Sequence, residues 1–165
     1  MNYFDFFGIK PEYIIDELIL KKKFLEYSRL YHPDHFALKP TEDQESAEEQ
    51  SAFNNKAFKV LSQPESRLKY ILELKHVIQD EEIYTLDQDF LMEMLDLNDL
   101  IEEDASAATA QLKQLEESLY TDILPVLQTY DHIEIIDSDL KRLKDYHYKK
   151  RYILRIRENL NKFAS

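Results

Sequence analysis

A chain of 165 residues with one glycine and no cysteine has little with which to build hairpins or phosphate-cradling loops, which place glycine where φ is positive. It has nothing with which to build disulfides, thiolate metal sites or a cysteine nucleophile. A net charge of −12 opposes nucleic-acid binding, which needs a basic face, and no apolar run approaches the roughly 20 residues of a membrane span. An all-α protein is therefore expected. The opening Met1 to Lys10 is aromatic-rich and lacks the basic start and long apolar run of a signal peptide, so a cytoplasmic protein without cofactors is expected.

The pattern divides into six helical pieces. A short first piece covers Tyr3 to Phe7 and is stopped by Gly8 and Pro11. A second runs from about Asp16, a suitable N-cap, to Tyr31. In it Leu20, Phe24, Tyr27 and Tyr31 fall at i, i+4, i+7 and i+11, which makes them the core side. Lys22 and Arg29 lie on the opposite face, flanked by Lys21. His32-Pro33-Asp34 follows, and Pro33 ends the helix because a residue before proline avoids the α region. A loop reaches about Pro40. The third piece runs from about Glu42 to Leu61, and Ser62-Gln63-Pro64-Glu65 then restarts or kinks it as a capping box with proline in the first turn. It reaches about Lys75.

From His76 to Thr85 the helical pattern lapses, so a first domain over 1–75, a linker over 76–85 and a second domain over 86–165 are expected. The charge shifts at the same place. Residues 1–75 carry 11 basic and 13 acidic side chains, and the remainder carries 10 and 20. Three pieces follow, near Asp87 to Asp104, Ala107 to Tyr130 and Asp137 to Phe163, and Pro125 is expected to kink or break the middle one. Asp80 to Asp104 holds eleven acids and no base, whereas Lys141 to Lys162 holds nine bases. Mutual attraction inside a bundle is the role expected of these two runs.

Within the piece near Asp87 to Asp104, Phe90, Met94, Leu97 and Ile101 form one core stripe. Leu91 and Leu95 point well away from it, and Met92 lies almost opposite, interleaved with Asp96 and Asp99. This second face either packs on a neighbouring helix or binds a partner. Unpaired carboxylates are costly to bury, and an apolar patch rimmed with charge suits a protein partner.

Several segments carry a family resemblance in the right order. The run Phe24 to Asp34, ending Leu30-Tyr31-His32-Pro33-Asp34, resembles the second helix and loop of a J-domain. Asn55 to Tyr70, with Ser62-Gln63-Pro64, resembles the J-domain's third helix and its Ser-x-Pro ending. Asn2-Tyr3-Phe4-Asp5-Phe6-Phe7-Gly8-Ile9 resembles the family's opening in its HscB-like form, and Phe90-Leu91-Met92-Glu93-Met94-Leu95-Asp96-Leu97 resembles an HscB element of the C-terminal domain. The chain thus resembles the HscB-type co-chaperones of iron–sulfur cluster assembly. The resemblance implies a J-domain followed by a three-helix bundle, forming an L or a rod, with no catalytic activity of its own. It implies that His32, Pro33, Asp34, Lys21, Lys22 and Arg29 dock on the ATPase domain of a DnaK-type, HscA-like chaperone. It implies that Leu91, Met92, Leu95, Asp96 and Asp99 bind an IscU-like scaffold. An aromatic of the last helix joins them, Tyr148 by register with Tyr152 as a near rival. Leu143, Tyr146 and Ile153 take that helix's core side. Glu26 stands where general J-domains usually carry a base, which suggests a dedicated chaperone. Two alternatives stay open: a J-domain protein with another client, and a metal-dependent enzyme built on His32, Asp34 and His35, with His76, His132 and His147 isolated.

Overall fold

Asn2 opens the first helix, α1 (Tyr3–Phe7), through a capping box: its side chain accepts from the Asp5 N–H at 2.9 Å, and the Asp5 carboxylate accepts from the Asn2 N–H at 3.5 Å. Gly8 ends the helix at φ 65°, a left-handed conformation that costs glycine nothing. Asp16 then caps α2 (Glu17–Leu30), accepting from the N–H groups of Leu18 and Ile19 at 3.0 and 3.2 Å. The chain continues through a 3₁₀ turn at Pro33–His35, α3 (Thr41–Leu61) and α4 (Pro64–Leu74). The computed structural model describes residues 1–129 and 135–164, and every regular element among these is helical. Two units divide the chain, Met1–Ile71 and Leu72–Ser165.

The first unit is built on the α2–α3 pair. Phe24 stacks on Phe58 with ring centroids 4.1 Å apart. The buried Asn54 amide donates to the Phe24 carbonyl at 3.1 Å and to Ser28 Oγ at 3.2 Å. These bonds set the height of α3 along α2. Phe4, Phe7, Leu20, Ala57 and Leu61 are buried at the centre. Arg67 of α4 is buried as well. Its Nε donates to the Tyr13 carbonyl at 2.7 Å and its Nη1 to the Leu61 carbonyl at 2.6 Å, while the guanidinium lies 5.5 Å from the Tyr13 ring centroid. One side chain thereby joins the approach to α2, the end of α3 and α4. Glu17, 3.9 Å from Nη2, offsets its charge.

The second unit is a three-helix bundle of α5 (Gln88–Glu103), α6 (Ala105–Thr129) and α7 (Asp137–Ala164). Asp104 closes α5, and its side chain accepts from the Ala107 N–H at 3.1 Å, so α6 starts at once and runs back along α5. The expected stripe is the core: Phe90, Met94, Leu97 and Ile101 are buried with Ala108, Leu112, Ile153, Ile156 and Leu160. Leu143 and Tyr146 of α7 are buried too. Within 76–85, Ile78 is buried, and Glu82 and Tyr84 lie on α7: Glu82 pairs with Lys144 at 2.5 Å and the Tyr84 hydroxyl donates to Asp145 at 3.0 Å.

Two expectations need correction. Pro125 does not break its helix, which runs on to Thr129. A proline removes one backbone donor, and the buried Ile123, Val126 and Leu127 hold the surrounding turn in place. The acidic run also does not face the basic helix along its length. Glu82 and Asp87 reach Lys144 and Lys149, but Lys150 and Arg157 both pair with Glu116 of α6. The expected helix end at Tyr130 and the residue His132 lie outside the described residues.

Arg67→Ala leaves two carbonyls without their buried donor, at roughly 1–3 kcal/mol each. We expect the urea transition of the Met1–Ile71 unit, followed in the full chain, to lose about 2–4 kcal/mol. An unchanged midpoint would show that Arg67 is not the tie described.

In the second unit the Phe90 N–H, at 2.8 Å, and then Lys149 hold the Asp87 carboxyl below its usual range, and Lys144 does the same for Glu82. Folded pKa values below the unfolded ones mean that this stability is present above about pH 4 and is lost as pH falls through the folded values. Melting temperature should therefore drop between about pH 5 and 3, and less steeply for Asp87→Asn, which removes that part of the linkage.

Candidate interaction surfaces

The His-Pro-Asp turn is exposed and braced by its own atoms. Pro33 sits at the first position of the 3₁₀ turn, and His32 precedes it in extended conformation, φ −62° and ψ 135°. The Asp34 N–H donates to His32 Nδ1 at 3.2 Å. The His35 and Phe36 N–H groups close the turn on the His32 and Pro33 carbonyls, both at 3.0 Å. Little is left free to rotate except the Asp34 carboxylate, whose Oδ2 lies 3.6 Å from His32 Nδ1. Behind the turn a cavity of about 380 Å³ is lined by Tyr31, Pro33, Phe36 and residues of α3.

The same helix carries the expected cations. Lys21, Lys22 and Arg29 are exposed, and none has an ion-pair partner among the described residues. Glu26 is 3.9 Å from Lys23. Leu18 and Leu25, which fall on the same row as Lys22 and Arg29, are exposed as well. They share the i, i+4, i+7, i+11 spacing of the core stripe, so the sequence carries their signal in its apolar pattern and not in its charge.

On α5 the structure brings together most of the second expected set. Met92 and Leu95 are 64% and 60% exposed, Asp96 and Asp99 are exposed, and Leu91 is half-buried at the edge. Met92, Leu95, Asp96 and Asp99 form their own i, i+3, i+4, i+7 row, turned away from the core stripe. Neither aspartate has an ion-pair partner among the described residues. Tyr148 stacks on Tyr84 at 4.5 Å, and its hydroxyl donates to Glu82 at 3.2 Å. Burial, together with the Glu82 charge, raises its pKa. Tyr152 is the aromatic packed on α5, edge-on to Phe90 at 6.1 Å.

His32 and His35 are neighbours, their rings 6.4 Å apart. However, no group of three or more His, Asp or Glu among the described residues is placed to hold a metal ion, which removes the observation on which a metal enzyme rested. No helix among them is long and apolar enough to cross a membrane.

Comparison with known proteins matches both units. The DnaJ domain family matches residues 2–70, and the family described as the HSCB C-terminal oligomerisation domain matches residues 86–161. A co-chaperone protein HscB homolog from Shewanella halifaxensis is 30% identical over 87% of this chain and 90% of its own length. The chain belongs to the HscB family. The HscB homolog of Vibrio vulnificus CMCP6 is 29% identical over 97% of this chain and 95% of its own. The crystal structure of the human co-chaperone HscB superposes with a TM-score of 0.80 at 25% identity, covering 98% of this chain and 81% of that one. HscB proteins are co-chaperones and not enzymes. A J-domain works on a DnaK-type ATPase, and the HscB family serves iron–sulfur cluster assembly with HscA-type chaperones and IscU-type scaffolds. This chain is an HscB co-chaperone of that system.

The two faces of α5 separate in one melting curve. Leu91→Ala, Met92→Ala and Leu95→Ala together should leave the melting temperature almost unchanged, whereas Met94→Ala should cost about 2–5 kcal/mol. Unfolding of the triple variant would place its outer row in a core.

Proposed function

We propose that each unit of this HscB protein binds one partner and that delivery consists of holding both on one chain, in the cytoplasm. The observation that carries it is the exposed, self-braced His-Pro-Asp turn at the end of a helix with unneutralised cations. Lys21, Lys22 and Arg29 meet an acidic face on the ATPase domain of the HscA-type chaperone. Having no ion-pair partner among the described residues, they are left to steer encounter. Pro33 holds the turn in one shape, and His32 and Asp34 act at the chaperone's domain junction to promote ATP hydrolysis. On the second unit Leu91, Met92, Leu95, Asp96 and Asp99 take the IscU-type scaffold. The three apolar side chains give contact area, and the carboxylates select a basic surround. Tyr148, beside Tyr84 and Glu82, is the aromatic of α7 taken for this site, with Tyr152, packed on the core side at Phe90, as its rival.

His32→Gln should abolish stimulation of the chaperone's ATPase while scaffold binding and the melting temperature stay as in the wild type, since exposed substitutions usually cost under about 0.5 kcal/mol. The α5 triple-alanine variant should show the reverse: scaffold binding lost by calorimetry and basal stimulation kept. Normal stimulation by His32→Gln would refute the assignment of the turn, and normal scaffold binding by the triple variant would refute that of the row.

A further inference from the structure

Four large apolar side chains of α2 face solvent: Leu18 is 80% exposed, Leu30 56%, Ile19 48% and Leu25 41%. Leu20 is the helix's one fully buried residue. Single exposed leucines are ordinary. The arrangement here is not random, because Leu18, Lys22, Leu25 and Arg29 fall at i, i+4, i+7 and i+11 and make one straight row opposite the core stripe. Lys22 and Arg29 have no ion-pair partner among the described residues, and the one acid beside them, Glu26, faces Lys23. The row thus alternates leucine and free cation, and its helix ends at the His-Pro-Asp turn.

We propose that Leu18 and Leu25 are docking and specificity residues. They seat in apolar sockets on the chaperone's ATPase domain, between the carboxylates that receive Lys22 and Arg29. This rests on the docking of α2 proposed above. Charge complementarity and the continuity of the row with the turn name the occupant. The two kinds of side chain divide the work. Cations raise the association rate and are screened by salt, whereas buried leucines slow dissociation and are not. A chaperone with an acidic but polar face would meet the cations and leave both leucines in water, so the leucines choose among acidic partners. The competing occupant is the acidic–apolar row of α5 on a second copy of this chain.

The test uses the full-length protein, a purified HscA-type chaperone and NaCl at about 0.05 and about 1 M. Leu18→Gln with Leu25→Gln should weaken binding about tenfold or more at both salt concentrations, through a faster off-rate, with the melting temperature unchanged. The Leu18→Met with Leu25→Met variant should retain binding, which a purely structural effect of the glutamines would not explain. Lys22→Gln with Arg29→Gln should weaken binding mainly at low salt. If the glutamine leucine-row variant binds normally while the cation variant does not, this inference fails and α2 docking stands. If both bind normally, α2 docking itself fails and takes the inference with it. If the leucine-row change alters only self-association, measured by sedimentation, the row belongs to a second copy and the inference is overturned.

Discussion

An α-helix advances about 100° per residue, so it can give only one stripe to its own core. Both surfaces assigned to this protein are what remains after that stripe is spent. On α5, burying Phe90, Met94, Leu97 and Ile101 forces Met92, Leu95, Asp96 and Asp99 outward. On α2, turning Leu20, Phe24 and Tyr27 inward forces Leu18, Lys22, Leu25 and Arg29 outward. No strain or special backbone is needed to present either row. The same periodicity that folds each unit also decides which side chains it leaves to solvent.

Presentation also requires that the carrying helices stay in place. In the first unit the Asn54 bonds to the Phe24 carbonyl and Ser28 prevent α3 from sliding along α2, and Arg67 ties the segment before α2 to the end of α3. The His-Pro-Asp turn spans the gap between these two braced helices, which is how an exposed turn keeps one shape. In the second unit Asp87 caps α5 and holds Lys149, and Glu116 draws Lys150 and Arg157 of α7 onto α6. The carboxylates of the outer row take no part in this bracing. They contribute nothing to the fold that a partner would have to displace.

Much of this was legible in the sequence. The element limits follow from caps and breakers: Asp16, Gly8, Pro33 and Pro64 act where their chemistry says they should. The α5 core stripe reads directly from 3.6-residue spacing. What failed were inferences that needed tertiary position. Pro125 reads as a residue that kinks or breaks its helix; the break is absent, and the helix runs on to Thr129 with Ile123, Val126 and Leu127 buried around it. The acidic run and the basic helix read as partners, and they pair at Glu82–Lys144 and Asp87–Lys149, but charge pairs by distance, and Glu116 of α6 takes Lys150 and Arg157. Tyr148 and Tyr152 are four residues apart on one helix face, so register cannot separate them, and neither of their ring neighbours, Tyr84 and Phe90, belongs to the outer row of α5. The buried Arg67 gave no signal, since nothing in its local sequence marks an arginine as interior.

The central claim is that delivery depends on having both surfaces on one chain. A tether converts the second binding event into an intramolecular one at high effective concentration. The direct measurement is steady-state ATPase activity of the HscA-type chaperone with the IscU-type scaffold at a concentration too low to engage the chaperone alone. It compares the wild type with an equimolar mixture of the His32→Gln protein and the α5 triple-alanine protein. The mixture supplies both surfaces, but on separate molecules. Scaffold-dependent stimulation should be present with the wild type and absent with the mixture. Full scaffold-dependent stimulation by the mixture would contradict delivery by a single chain.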